Sequence, residues 1–154
     1  MELYLPEPVE RKLPQLEPGY RGYVAGVLDC DGAIWISCEK TKSHPRYMLR
    51  TAVSNTRKGL PDVFVEHFGG TCRSYEKRSD KWKNEYRWAA ASLPAAEVIS
   101  LALPYLVIKR RQAILALEFA STIVPGQQRL PESWREMRER LYHQMLELNK
   151  TGPK

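Results

Sequence analysis

The stretch Val24-Ala25-Gly26-Val27-Leu28-Asp29-Cys30-Asp31-Gly32 decides how the rest of the chain is read. It closes a run of small and apolar residues that predicts a helix from about Tyr20 to Asp31. Gly32 is placed to stop it, because glycine tolerates the left-handed conformation of a helix end. Ala25 and Gly26 offer little beyond backbone, so a second helix can approach closely there. Asp29 and Asp31 fall in the last turn, where the negative end of the helix dipole disfavours a carboxylate. Acids so placed ask for a compensating cation, and hard divalent ions, magnesium first, suit oxygen ligands of this kind. The bland alternative is a surface acid at a helix end, and it weighs more for Asp29 than for Asp31. An EF-hand is excluded, since the further oxygen ligands and the distal Glu are missing.

Outward from this helix the chain alternates. In AIWISCEKT, Ile34, Ile36 and Cys38 share one face and Ala33, Trp35, Ser37 and Glu39 the other. After a Ser-His-Pro turn, Tyr47, Leu49, Thr51 and Val53 lie on one face of a second run, with Arg46, Met48, Arg50 and Ala52 opposite. Two such runs read as a hairpin covering a core on one side. Residues 60–68 fit a short helix with Pro61 in its first turn. Gly69-Gly70 turns the chain into TCRSYEKR, and EYRWAAAS follows a polar loop, giving a second hairpin. A helix from about Pro94 to Pro104 follows, then one over KRRQAILALEFASTIV stopped by Pro125-Gly126. The last, from Pro131 to about Asn149, carries Trp134, Met137, Leu141, Met145 and Leu148 on one stripe. The order is α-ββ-α-ββ-α with C-terminal helices, an α+β fold with a four-stranded antiparallel sheet and helices on one face. No internal repeat is evident, so residues 20–150 read as a single domain. Residues 1–19, rich in Pro and Glu, read as an extended N-terminal arm, and 151–154 as a tail.

The gross properties narrow the class. A chain of 154 residues can bury a core without staples. Twenty-four Lys+Arg against eighteen Asp+Glu give a net charge of +6, which favours a polyanionic partner, nucleic acid before an anionic membrane surface. Cys30, Cys38 and Cys72 are too few and too scattered for a disulfide framework, and no C-x-x-C pair points to zinc. His44, His67 and His143 show no ligand spacing. Glu2, Glu7 and Glu10 with Pro6 and Pro8 are unlike a signal or transit peptide. No apolar run reaches transmembrane length. The protein is therefore expected to work inside the compartment that makes it, be that an organelle that encodes it or the cytoplasm of a prokaryotic or phage-infected cell, with no membrane partner.

Position for position, the opening stretch resembles the LAGLIDADG motif of homing endonucleases. Ala25, Gly26, Asp29, Asp31 and Gly32 are identical, Val24, Val27 and Leu28 are conservative replacements, and Cys30 replaces a small Ala or Gly. The order of helices and strands agrees over nearly all of the chain after residue 19. The resemblance implies two such helices packed about a dyad, each bringing one Asp, here Asp31, to shared divalent metals: Mg2+, with Mn2+ or Ca2+ able to occupy the site. The backbone carbonyl of Cys30 is implied as a further ligand. One motif is half a site, so the partner is a second copy of the chain in a C2 homodimer, with Tyr23, Val24, Ala25, Gly26, Val27 and Asp29 expected at the interface. Asp29 is implied to cap and pack. The resemblance also places a polar residue that holds water near the scissile phosphate at Asn55, where other members have Gln or an acid. An Asn capping the turn before the next helix is an equal reading. It places Lys109, in a proline-apolar-Lys-x-x-Gln pattern, near the active site, against the alternative of a solvated Lys beside Arg110 and Arg111. The reaction implied is metal-dependent hydrolysis of both strands of double-stranded DNA at a long pseudo-palindromic site, by a protein encoded in an intron.

The open face of the sheet is then the expected groove reader. Trp35, Ser37, Glu39, Arg46, Met48 and Arg50, then Arg73, Tyr75, Lys77 and Arg87, lie on it, and Trp35 and Met48 argue against simple solvation. Lys40, Lys42, Arg78, Lys81 and Lys83 in the loops are expected to touch phosphates, as are Arg57 and Lys58 near the site. Two other readings stay open. The same fold can serve as an intron maturase on RNA or as a non-cleaving DNA-binding protein, for which Asp31 and Lys109 have no use. A small basic interaction domain unrelated to the motif leaves the helix-end acids without a reason.

Overall fold

The computed structural model describes residues 17–126 and 129–150. Helix α1 (Pro18–Asp31) starts earlier than its periodicity indicates. Pro18 brings a helical φ and no N–H to satisfy, and the Glu17 carbonyl accepts the N–H of Tyr20 at 2.9 Å and of Arg21 at 3.1 Å. Pro18 and Gly19 thus belong to the helix and not to the arm expected over 1–19. Residues 1–16 of that arm and the tail 151–154 lie outside the described residues.

The chain passes from α1 into strand β1 (Gly32–Glu39) with no loop between them. Gly32 stands at φ −96° and ψ 164°, extended backbone, which corrects the expectation of a left-handed stop. Glycine is needed there for room: a Cβ would fall 2.6 Å from Leu28 Cα and 2.7 Å from the Leu28 carbonyl oxygen. The sheet ends the helix, because Gly32 already pairs with Val53 on strand β2 (Arg46–Asn55).

Strands β3 (Cys72–Tyr75) and β4 (Glu85–Ala91) complete an antiparallel sheet in the order β1-β2-β4-β3. β4 lies against β2 with Val53 opposite Trp88, which secures the register of the fourth strand. Strand β3 ends at Tyr75, so Lys77, expected on the reading face, belongs to the following loop. One face of the sheet carries Ile34, Ile36, Leu49, Val53 and Trp88, all buried. The Thr51 hydroxyl, fully buried on that face, donates to the Ala33 carbonyl at 2.9 Å, so its burial leaves no bond unmade.

The helices cover that face. α1 contributes Val24, Ala25 and Leu28, α2 (Gly59–Phe68) Phe64, and α3 (Ser92–Ala102) Ala95, Val98, Ile99 and Ala102. The Trp88 indole packs 5.1 Å from the Phe64 ring and donates to the Gly69 carbonyl at 2.9 Å. A 3-10 turn, Leu103–Tyr105, holds Pro104 and leads to α4 (Arg110–Ala120). α4 stops before Pro125-Gly126, because the hydroxyls of Ser121 and Thr122 donate to the carbonyls of Glu118 and Phe119 at 2.6 and 2.7 Å and compete with further helical bonds. Arg138 of α5 (Glu132–Lys150) locks this corner: its Nε donates to the Thr122 hydroxyl at 2.7 Å and its guanidinium lies over the Phe119 ring. Burial pushes the Arg138 pKa below its ordinary value. On the α5 stripe Leu141 and Met145 are buried, with Trp134, Met137 and Leu148 partly so. Among the described residues no helix is long and apolar enough to cross a membrane.

Candidate functional site

Three chain segments meet at the C-terminal end of α1. The Asp29 carboxylate accepts the backbone N–H of Val107 at 2.9 Å, Ile108 at 3.2 Å and Lys109 at 2.9 Å. Lys109 is the N-cap of α4 and its own side chain caps nothing. Asp29 therefore satisfies from another helix the backbone donors of the segment that enters α4, the N-cap N–H of Lys109 among them. In return the Lys109 ammonium donates to the Asp29 carbonyl at 2.5 Å. The clamp ties the end of α1 to the start of α4. It also places a positive charge at the negative end of the α1 dipole, so the cation that the acidic helix end asks for is in part Lys109. A lysine has three N–H donors, so this one bond leaves two on the half-buried Lys109 side chain.

Asp31 lies just past the clamp. It is exposed, and its Oδ2 accepts from Asn55 Nδ2 at 3.2 Å. The Asn55 Oδ1 accepts the Arg57 N–H at 2.8 Å, closing the turn after β2 and leaving the amide nitrogen for Asp31. Asn55 thus caps the turn, as one of its two readings has it, and its amide nitrogen donates to the Asp31 carboxylate. Oδ1 of Asp31 has no partner among the described residues, and the Cys30 carbonyl sits in the last turn, where helix carbonyls lack intrahelical donors. Among the described residues no three His, Cys, Asp or Glu side chains gather as a metal site. One chain offers a single carboxylate with a neighbouring carbonyl, oxygen donors suited to a hard divalent cation but too few to enclose it. Cys30, Cys38 and Cys72 are all free thiols.

The outer face of α1 is nearly bare. Tyr23, Gly26 and Cys30 are exposed, and a Cβ on Gly26 would meet nothing within 4 Å. Val24 and Ala25, expected at an interface between copies, are 0% exposed and packed within the chain, and both Asp29 carboxylate oxygens are bonded within it. Val27 is half-buried against the core, leaving Tyr23 and Gly26 on the open side. Exposed Tyr105, Val107 and Ile108 were not legible as surface from the sequence, because only the Asp29 clamp turns their segment outward.

No family model and no curated protein matches the sequence; solved structures do match the chain. I-Vdi141I, an archaeal intron-encoded homing endonuclease complexed with DNA, superposes with a TM-score of 0.68 at 16% identity, covering 87% of this chain and 86% of its own. The homing endonuclease I-CvuI, in complex with a DNA target, gives a TM-score of 0.54 at 22% identity over 79% of this chain and 93% of its own. The LAGLIDADG homing endonuclease I-SmaMI, bound to cleaved DNA, gives 0.65 at 13% identity over 81% of this chain but only 43% of its own. The chain has the LAGLIDADG homing-endonuclease fold. At these identities the likeness establishes the fold alone, and this chain spans less than half the length of I-SmaMI.

In this fold the second face of the sheet is open. The register puts Trp35, Ser37 and Glu39 of β1, Arg46, Met48 and Arg50 of β2, Arg87 of β4, and Arg73 and Tyr75 of β3 on it. Arg87 stands between Ser54 and Arg73; its Nε donates to Ser54 Oγ and its Nη2 to Glu85, each at 2.9 Å, and its guanidinium lies 4.9 Å over the Tyr75 ring. The loop with Arg78, Lys81 and Lys83 leaves the sheet at the Asp31 end, and the turn with Lys40 and Lys42 at the other. Lys77 Nζ pairs with Asp80 at 3.4 Å. Lys58 chelates Asp62, which raises its pKa, while Arg57 stays exposed with no charged partner among the described residues. Sequence reasoning passed over Trp82, 70% exposed between Lys81 and Lys83; a tryptophan in a polar loop is the signal that could have found it.

Proposed function

We propose that this chain is one subunit of a homodimeric, metal-dependent homing endonuclease that cuts both strands of a long pseudo-palindromic DNA site. The observation that carries the reading is the Asp31 carboxylate, exposed and oriented by Asn55 at the tip of a helix whose outer face is bare at Gly26. Two copies joined along that face bring two Asp31 side chains together and complete an oxygen shell that one chain lacks. Coverage of 86% of I-Vdi141I but 43% of I-SmaMI supports a unit that works as one of two halves. The divalent ion, held by Asp31 and the Cys30 carbonyl, would lower the pKa of an attacking water and stabilise the leaving oxygen. I-CvuI has been solved with DNA targets in the presence of magnesium and of calcium, which supports the same ion class here.

The chain's own residues divide the remaining work. Asn55 holds Asp31 in one orientation and is itself held by the Arg57 N–H. Lys109, fixed by one bond, keeps two donors for the charge that grows on a phosphate. The basic open face of the sheet lies along the groove, and the loop lysines contact the backbone. The test is linearisation, in magnesium, of plasmids bearing sites selected from a randomised library. The wild-type chain is expected to cut and Asp31→Asn to bind without cutting. Cleavage by Asp31→Asn at the wild-type rate, or a monomeric mass by light scattering with and without DNA, would overturn the proposal.

A further inference from the structure

On the open face of the sheet, Arg50 differs from every other arginine there. Its Nε donates to Ser37 Oγ at 3.0 Å, and Ser37 in turn donates to the Met48 carbonyl at 3.3 Å. The serine proton is thereby directed away from Arg50 and a lone pair toward it. No carboxylate pairs with Arg50 among the described residues. Arg87 has the same serine-to-Nε bond, but Glu85 takes its Nη2 and Tyr75 covers its face. Arg50 alone has an anchored stem together with a free end.

Its surroundings leave room for a base edge. Across the strands Arg50 stands between Trp35 on β1 and Ala91 on β4, and the adjoining row is Ala33, Ala52 and Ala89. This row of small side chains lies on the side of Arg50 away from Ser37, and Arg50 itself lines a groove with Trp35, Arg73, Tyr75, Arg87, Ala89 and Ala91. With Nε occupied, the Nη1 and Nη2 donors remain as a parallel pair, which matches O6 and N7 of guanine in the major groove. An arginine already fixed at its stem loses less rotamer freedom on binding, so discrimination there is sharper.

We infer that Arg50, positioned by Ser37, reads one guanine in each half of the DNA site. The inference rests on the endonuclease reading above and adds to it the identity of a base and of the residue that selects it. The test selects a randomised duplex library with the purified full-length chain in calcium, then compares binding to the four base pairs at each enriched position. The wild type is expected to enrich guanine at one position per half-site, by roughly tenfold to a hundredfold over the other bases. Arg50→Ala loses that preference and keeps the other positions, and Arg50→Gln moves it to adenine, the base that a glutamine amide matches. Ser37→Ala weakens the preference with an unchanged melting midpoint, whereas Ser37→Thr, which keeps the hydroxyl, preserves it. A consensus that survives Arg50→Ala or keeps guanine throughout in Arg50→Gln overturns the inference and leaves the endonuclease reading standing. An undiminished preference in Ser37→Ala removes Ser37 from it. A wild-type chain that enriches no sequence overturns both.

Discussion

Asp29 accepts three backbone N–H bonds, whereas Asp31, in the same helical turn, accepts one bond from an asparagine and faces solvent. The same side chain at two adjoining positions thus has opposite surroundings, and substitutions should separate them. Asp29→Asn keeps the shape but turns one acceptor into a donor that faces an N–H. It is expected to lower the unfolding free energy by about 1–3 kcal/mol, the cost of stranding groups of this kind. Asp31→Asn is expected to change it by less than about 0.5 kcal/mol, as surface substitutions do, while abolishing cleavage. Urea denaturation of the two variants checks the pair, and equal losses would contradict the division. Gly32 belongs to the same scale. Since a Cβ there would meet Leu28 Cα at 2.6 Å, Gly32→Ala should cost about 1–3 kcal/mol through a displaced helix end. A neutral result in the same titration would show that the close approach relaxes freely.

At the scale of elements, the junctions hold the molecule's geometry. β4 runs directly into α3 through Ser92, whose φ of +59° is a left-handed conformation that costs a non-glycine residue about 1 kcal/mol. Ser92→Gly should raise the melting temperature by up to a few degrees, and the β-branched Ser92→Val should lower it, both read by calorimetry. Melting temperatures ordered the other way would mean that the serine is stabilised at that turn. Junctions are also where the sequence was least informative. Alternation predicted β1 and β2 with the correct faces, since Ile34, Ile36, Leu49 and Val53 repeat every second residue. The nine-residue motif marked Asp31 directly. Nothing local, however, tells that Gly32 abuts Leu28, that Asp29 caps a helix start far along the chain, or that Ser121 and Thr122 end α4. Those are tertiary contacts, and the same two letters, Gly and Asp, admit several local explanations. Lys77 was misplaced for a related reason: the alternation continues past Tyr75, while pairing with β4 does not.

For the whole molecule, two surfaces carry the proposal: the basic open face of the sheet and the bare face of α1. With a net charge of +6, binding through the first should fall steeply with salt, because each neutralised phosphate releases counterions; a flat log–log plot of affinity against salt would remove the sheet from the interface. The second surface gives a sharper test, since its effects on fold and on assembly have opposite signs. Gly26 is exposed on the helix, and a Cβ added there meets nothing within 4 Å in the chain, so a leucine can start outward into solvent. Replacing a mid-helix glycine by a good helix former stabilises an isolated helix by roughly 0.5–1 kcal/mol. Gly26→Leu should therefore melt no lower than the wild type at concentrations dilute enough to keep both proteins monomeric. In a dimer joined along α1 the same leucine would sit where two backbones must approach closely, and it should push them apart. Light scattering at working concentration is then expected to give half the wild-type mass, and cleavage of a selected site should be lost together with it. A Gly26→Leu chain that remains dimeric and active would place the interface elsewhere and leave Asp31 without its twin.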